Sequence, residues 1–196
     1  YISTGCAGVV IGPIDQKSFI QDSVFRIGKI SIAQTWFTDY KDKRLPFAAG
    51  TIRPLPVELI SKIPVGIAVD TVQLHTARVL YTEVRNKTKK AGTIPVTRMQ
   101  IELLQVKNRF IKEGDSLQIT ATGFVMDSIW TRLKVKAAYL DSLSGFRMTL
   151  RAKAGDIRVL NPVLIPLVSV KLNSGELDTL SLRATGREYL TLGELK

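Results

Sequence analysis

Along most of this chain apolar and polar residues take turns, and that alternation limits what the chain can become. In residues 116–125 (SLQITATGFV) Leu117, Ile119, Ala121 and Val125 are apolar, while Ser116, Gln118, Thr120 and Thr122 are polar. In IWTRLKVKA, Ile129, Leu133, Val135 and Ala137 alternate with Arg132, Lys134 and Lys136. In FRMTLRAK, Phe146, Met148, Leu150 and Ala152 alternate with Arg147, Thr149, Arg151 and Lys153. RMQIELLQV and DTLSLRAT repeat the pattern through Met99, Ile101 and Leu103, then Leu180, Leu182 and Ala184. Successive side chains of a strand point to opposite faces. The pattern therefore predicts strands with one oily face and one wet, basic face.

Turn-forming stretches separate these segments: RNKTKKAGT, KNRFIKEGDS, MDS, DSLSG, LNSGE and ATGRE. Short connections join antiparallel neighbours, whereas parallel strands need crossovers of a dozen or more residues. The expected fold is mainly β, an antiparallel meander sheet forming an open groove or a partly closed barrel or sandwich. One or two short helices are expected. One falls in residues 54–64, with Pro56 in the first turn and Val57, Leu59, Ile60 and Ile63 as its apolar residues. Residues 161–170 (NPVLIPLVSV) read as a turn or short helix covering an oily surface. Residues 40–53 read as a polar loop running into an extended piece.

Six of the ten Asp residues precede Ser or Thr and then Val, Ile or Leu: Asp22, Asp70, Asp115, Asp127, Asp141 and Asp178. The phrase reads as a turn exit. The carboxylate would accept from backbone N–H groups just downstream, and the aliphatic residue would be the first to point inward.

A chain of 196 residues can bury a sizeable core and fits one domain or one large piece of a longer sheet. It starts at Tyr1 and reads as a single β-rich segment excised from a larger protein, with residues 1–53 a less regular strand and loop part of the same unit. No apolar run approaches the length of a membrane-crossing helix, and no signal peptide is present. The single cysteine, Cys6, excludes an internal disulfide and cysteine-based metal sites, and reads as a small buried thiol. A net charge of +11 bears on partners: nucleic acid, anionic lipid or acidic protein.

Reaction centres are poorly supplied. His75 is the only histidine and reads as a surface residue or a hydrogen-bond partner, so zinc and Cys-His schemes lack their parts. The close carboxylate pairs, Glu113 with Asp115 and Glu176 with Asp178, fall at turns. No glycine-rich stretch has phosphate-loop spacing. No enzyme activity, cofactor or metal is expected. The densest basic run, residues 85–90, reads as a solvated loop without aromatics, so nucleic acid is an unfavoured partner. Trp130 and Phe124 fall on otherwise polar strand faces, where they could meet a partner or a second layer.

Residues 66–83 (GIAVDTVQLHTARVLYTE) and 161–185 (NPVLIPLVSVKLNSGELDTLSLRAT), with YKDKRLPF followed by IRPLPVELISKIPV, resemble the AsmA-like family of Gram-negative, Bacteroidota-type envelope proteins. The likeness extends in pattern over most of residues 20–196 and is specific in the first two stretches. It implies a long curved antiparallel sheet with an oily concave side, a membrane anchor outside this sequence, and a place in the periplasm or cell envelope. Related bridge-like proteins are thought to carry phospholipid along such a groove. The resemblance thus implies phospholipid or another acyl lipid as partner, besides a membrane and other envelope proteins. The inward residues Met99, Ile101, Leu117, Ile119, Leu133, Val135, Met148, Leu150, Leu180 and Leu182 would touch lipid. The alternative is a structural or protein-interaction β-module of the envelope with a filled core. A nucleic-acid binder using the basic face comes third.

Overall fold

The computed structural model describes residues 1–46, 54–141, 145–187 and 190–196. Part of the 40–53 loop and the Ser142–Leu143 portion of one Asp-Ser-aliphatic phrase lie outside those residues.

Strands dominate, as the alternation requires. They are β1 (Ile2–Asp15), β2 (Val24–Asp42), β3 (Gly66–Val84), β4 (Ala91–Lys107), β5 (Ser116–Val125), β6 (Ile129–Ala138), β7 (Phe146–Ala152), β8 (Gly155–Asp156), β9 (Glu176–Leu177), β10 (Leu180–Gly186) and β11 (Thr191–Leu195). Nine of them form one sheet in the order β1-β2-β3-β4-β5-β6-β7-β10-β11, which does not close into a barrel, while β8 and β9 pair separately. Seven of the eight neighbouring pairs in the large sheet are antiparallel. The exception is β2 with β3, which run parallel from Val24↔Gly66 to Asp42↔Val84. Residues 43–65 make the crossover that this geometry demands. Within them lies α2 (Pro56–Ser61), with proline in its first turn and Val57 buried.

A helix that the alternation does not announce, α1 (Gln16–Asp22), joins β1 to β2. Asp15 caps it by accepting from the N–H groups of Lys17 (3.0 Å) and Ser18 (3.3 Å). Ser23, in the left-handed region at φ 55°, ends it. The 161–170 segment is helical as α3 (Asn161–Val168). Asn161 closes the turn that follows: its Nδ2 donates to the Leu172 carbonyl (2.9 Å) and its Oδ1 accepts from the Leu172 N–H (2.8 Å).

The Asp-Ser/Thr-aliphatic phrase behaves as a strand entry at four sites. Val24, Ile129 and Leu180 are first residues of strands, and Leu117 is the second residue of its own. Asp70, by contrast, sits inside β3. The expected downstream hydrogen bonds occur at other aspartates. Asp15, Asp42 and Asp156 each accept from the N–H two residues on, at Lys17, Arg44 and Arg158. The pattern Asp-x-Lys/Arg is the better signal, because the second residue can add a charged contact to the turn. Cys6 is exposed rather than buried, since β1 is the outermost strand and has only β2 beside it.

Candidate functional site

The register turns alternation within each strand into apolar rows across the whole sheet. One row runs Ile11, Ile30, Val72, Leu103, Ile119, Val135, Met148, Ala184, Gly193. The next runs Val9, Ile32, Leu74, Ile101, Ala121, Leu133, Leu150, Leu182, Leu195. Each crosses all nine strands without a polar member. With strands about 4.8 Å apart, eight steps make a path about 38 Å long, perpendicular to the strands.

Two helices cover the flanks of this path. At the end of the long strands where Ala68 pairs with Lys107, α2 packs Val57 against Val69, Val106, Leu117 and Ala137. This is the densest part of the core, and Leu117 is fully buried there. At the other end, where Val84 pairs with Ala91, Leu167 of α3 rests on Gly92. A β-carbon on Gly92 would come within 2.7 Å of Leu167 Cγ, so only glycine admits the helix this closely. The Thr88 hydroxyl adds a bond to the Pro166 carbonyl (2.6 Å). Between the helices the two rows are partly open, although Ala121 and Ala184 are buried and Ile30, Val72, Leu103 and Ile119 pack against the core under α2. Ile119, Leu133, Val135, Leu150 and Leu182 are half-buried, and Val9 and Ile11 are about half exposed at 48% and 51%.

Beside α2 the open strip deepens into a cavity of about 290 Å³ lined only by apolar residues: Leu55, Pro56, Leu117, Ile119, Leu133, Val135, Ala137 and Phe146. A larger cleft of about 500 Å³ at the ends of β5, β6, β7 and β10 has mixed walls that include Asp115, Lys136, Asp141 and Arg147.

Polar groups fix the covers rather than enter the groove. Buried Asn108 ties the segment after α2 to the end of β4. Its Nδ2 donates to the carbonyls of Ile63 (2.9 Å) and Val65 (2.8 Å), and its Oδ1 accepts from the Ile67 N–H (2.8 Å). Tyr139 reinforces the same end by donating to the Gln105 carbonyl (2.6 Å), and burial raises its phenol pKa. Lys107 Nζ meets Asp115 at 2.6 Å, and Asp115 also accepts from the Lys112 N–H, which together lower its pKa. Near α3, burial pushes the Glu83 carboxyl upward. The hydrogen bonds from Lys43 and Tyr81, with the charges of Lys43 and Arg85, outweigh that and leave it lowered.

Of the ten residues expected to face inward, Leu117, Ile119, Leu133 and Val135 line the cavity. Ile101, Met148, Leu150 and Leu182 continue the rows away from it. Met99 and Leu180 stand farther along the strands. Met99 follows a bulge at Arg98 (φ 49°) and lies over Gly123, and Leu180 pairs with Ala152. Leu55, Pro56 and Phe146 complete the cavity but are not among the ten. Phe146 was legible in its alternation, whereas Leu55 and Pro56 come from a helix that crosses the sheet. The β1–β3 third of the rows was also missed, although ISIA in residues 30–33 alternates.

His75 is exposed on the polar face and hydrogen-bonded to Ser31 Oγ at 2.7 Å. Among the described residues no three His, Cys, Asp or Glu side chains group to hold a metal ion. No described helix is long and apolar enough to cross a membrane. No family model matches the chain, and neither a curated protein nor a solved structure does.

Proposed function

We propose that the open apolar strip holds lipid acyl chains, and that the chain is a non-catalytic, lipid-binding or lipid-conducting part of an AsmA-like cell-envelope protein. The observation that supports this reading is the pair of uninterrupted apolar rows left partly uncovered between α2 and α3. A one-sided sheet must bury its oily face against something. Here two short helices cover only its flanks. Each methylene moved from water onto such a surface contributes about 0.8 kcal/mol, so ten of them supply about 8 kcal/mol with no polar recognition at all. Such a site needs no nucleophile, base or metal. It also favours chain length over headgroup, as a conduit for mixed phospholipids would.

Native mass spectrometry of the purified chain, with solvent extraction of what travels with it, tests the reading. Phospholipid is expected to co-purify, and a fluorescent fatty acid is expected to compete with it. Leu133→Lys with Val135→Lys should abolish uptake while leaving the far-ultraviolet β signal intact. A chain that is lipid-free and takes up no acyl probe would leave the alternative, an envelope interaction module whose strip is closed by a protein partner.

A further inference from the structure

The opposite face of the same sheet holds an arrangement that neither folding nor lipid binding in the groove explains. On β6 and β7 the outward residues are basic, and the register sets like charges directly across from one another. Arg132 pairs with Arg151, and Lys136 with Arg147. Lys134 stands between them opposite Thr149. Directly opposed like charges destabilise a sheet. The flanking strands offer no relief. The β5 partners of Arg132, Lys134 and Lys136 are Thr122, Thr120 and Gln118, and the β10 partners of Arg147 and Arg151 are Thr185 and Ser181. All five cations are exposed, and none forms an ion pair among the described residues. Of the acids that share a cleft with Lys136 and Arg147, namely Glu113, Asp115 and Asp141, the last two already have partners.

We infer that this five-cation array on β6 and β7 docks the protein on an anionic lipid headgroup surface. Charge complementarity gives the sign of the partner, and shape and aromatic placement give its kind. The cations are spread in two dimensions over adjacent strands, and the cleft that Lys136 and Arg147 border also carries Glu113, Asp115 and Asp141, whose charges oppose a nucleic-acid backbone. The rings beside the array are already engaged. Lys153 Nζ lies 4.7 Å from the centroid of Trp130, and the Arg98 guanidinium carbon 3.8 Å from that of Phe124. A single-stranded nucleic acid would need those ring faces for stacking. A headgroup plane does not, and half-buried Trp with adjacent cations suits a membrane–water interface. Because these residues point away from the apolar strip, docking is separable from acyl-chain uptake.

Flotation with vesicles tests this directly, using phosphatidylcholine alone and phosphatidylcholine with about one third phosphatidylglycerol. The whole chain should bind only the anionic vesicles, and binding should fall steeply between low and high salt. Each basic residue near an anionic surface contributes about fivefold in affinity. Neutralising four of them (Arg132→Gln, Lys136→Gln, Arg147→Gln, Arg151→Gln) should weaken binding about 600-fold. Fatty-acid uptake should be unchanged and the melting temperature no lower, since like-charge pairs are being removed. Neutralising Lys87, Lys89 and Lys90 in the β3–β4 loop should have little effect. Equal binding to neutral vesicles, an unaffected quadruple variant, or tighter binding to duplex DNA or polyglutamate than to anionic vesicles at the same salt would each overturn the assignment.

Discussion

Asn108 is the residue whose loss should say most about how the groove is held. Its amide makes three hydrogen bonds, two donated to the Ile63 and Val65 carbonyls and one accepted from the Ile67 N–H, and it is itself buried. These link the exit of α2, and the start of β3, to the end of β4. In Asn108→Ala each lost bond removes about 0.5–1.5 kcal/mol, and the Ile67 N–H loses its side-chain partner at about 1–3 kcal/mol. Water reaching the two carbonyls offsets part of this, so about 3 kcal/mol is expected. Asn108→Asp keeps the acceptor but places a carboxylate against two carbonyls, so at pH 7 it should cost at least as much. Part of that loss should return as pH falls towards about 4, because the disfavoured carboxylate takes up its proton in the fold before it does in the unfolded chain and can then donate again. Urea unfolding followed by tryptophan fluorescence measures both. Because α2 covers the deepest apolar contacts, the Ala variant should also bind more of an apolar dye before it unfolds. A change below about 0.5 kcal/mol, or an Asp variant more stable than the Ala variant at pH 7, would refute the view that this amide anchors the cover.

Other outcomes separate core from groove and test the charges. Leu117→Ala should cost about 2–5 kcal/mol because the residue is fully buried, whereas Leu133→Ala, at the open strip, should cost about 1.5 kcal/mol; chemical denaturation of the two would settle their order. Gly92→Val should push Leu167 away and loosen α3, at about 1–3 kcal/mol, seen as faster amide exchange in residues 161–168. The Arg44 hydrogen bonds hold Asp42 down to about 2, and Asp115 and Asp156 are also lowered from 3.8 by Lys107 and Arg158. A depressed carboxylate stabilises the fold above its unfolded pKa, and that contribution is lost as pH falls through its folded value. The urea midpoint should therefore decline from about pH 4 towards pH 2, and a flat or rising midpoint there would contradict the assigned pairs.

Much of the sheet was legible because period-2 alternation is a local property, and β5, β6, β7 and β10 display it cleanly. What stayed hidden depends on residues distant in the chain. Nothing within the two strands themselves distinguishes the parallel β2–β3 pair from a hairpin, since alternation carries no information on strand direction. The bulge at Arg98 (φ 49°) and the left-handed backbone at Gln105 (φ 59°) interrupt β4 without any glycine to announce them. The cavity was half readable for the same reason. Its floor comes from alternating strands, but its Leu55 and Pro56 wall arrives from elsewhere in the chain.

The parallel β2–β3 junction also governs the order in which the protein can assemble. From β3 to β7 each strand meets a sequence neighbour, so loop closure is cheap and contact order low. The β1–β2 ribbon can zip by itself, yet it can join the rest only by aligning seventeen matched positions in one register across the long connection between β2 and β3. Docking of that ribbon should be the slow kinetic step, with the β3–β7 meander as the template on which it adds.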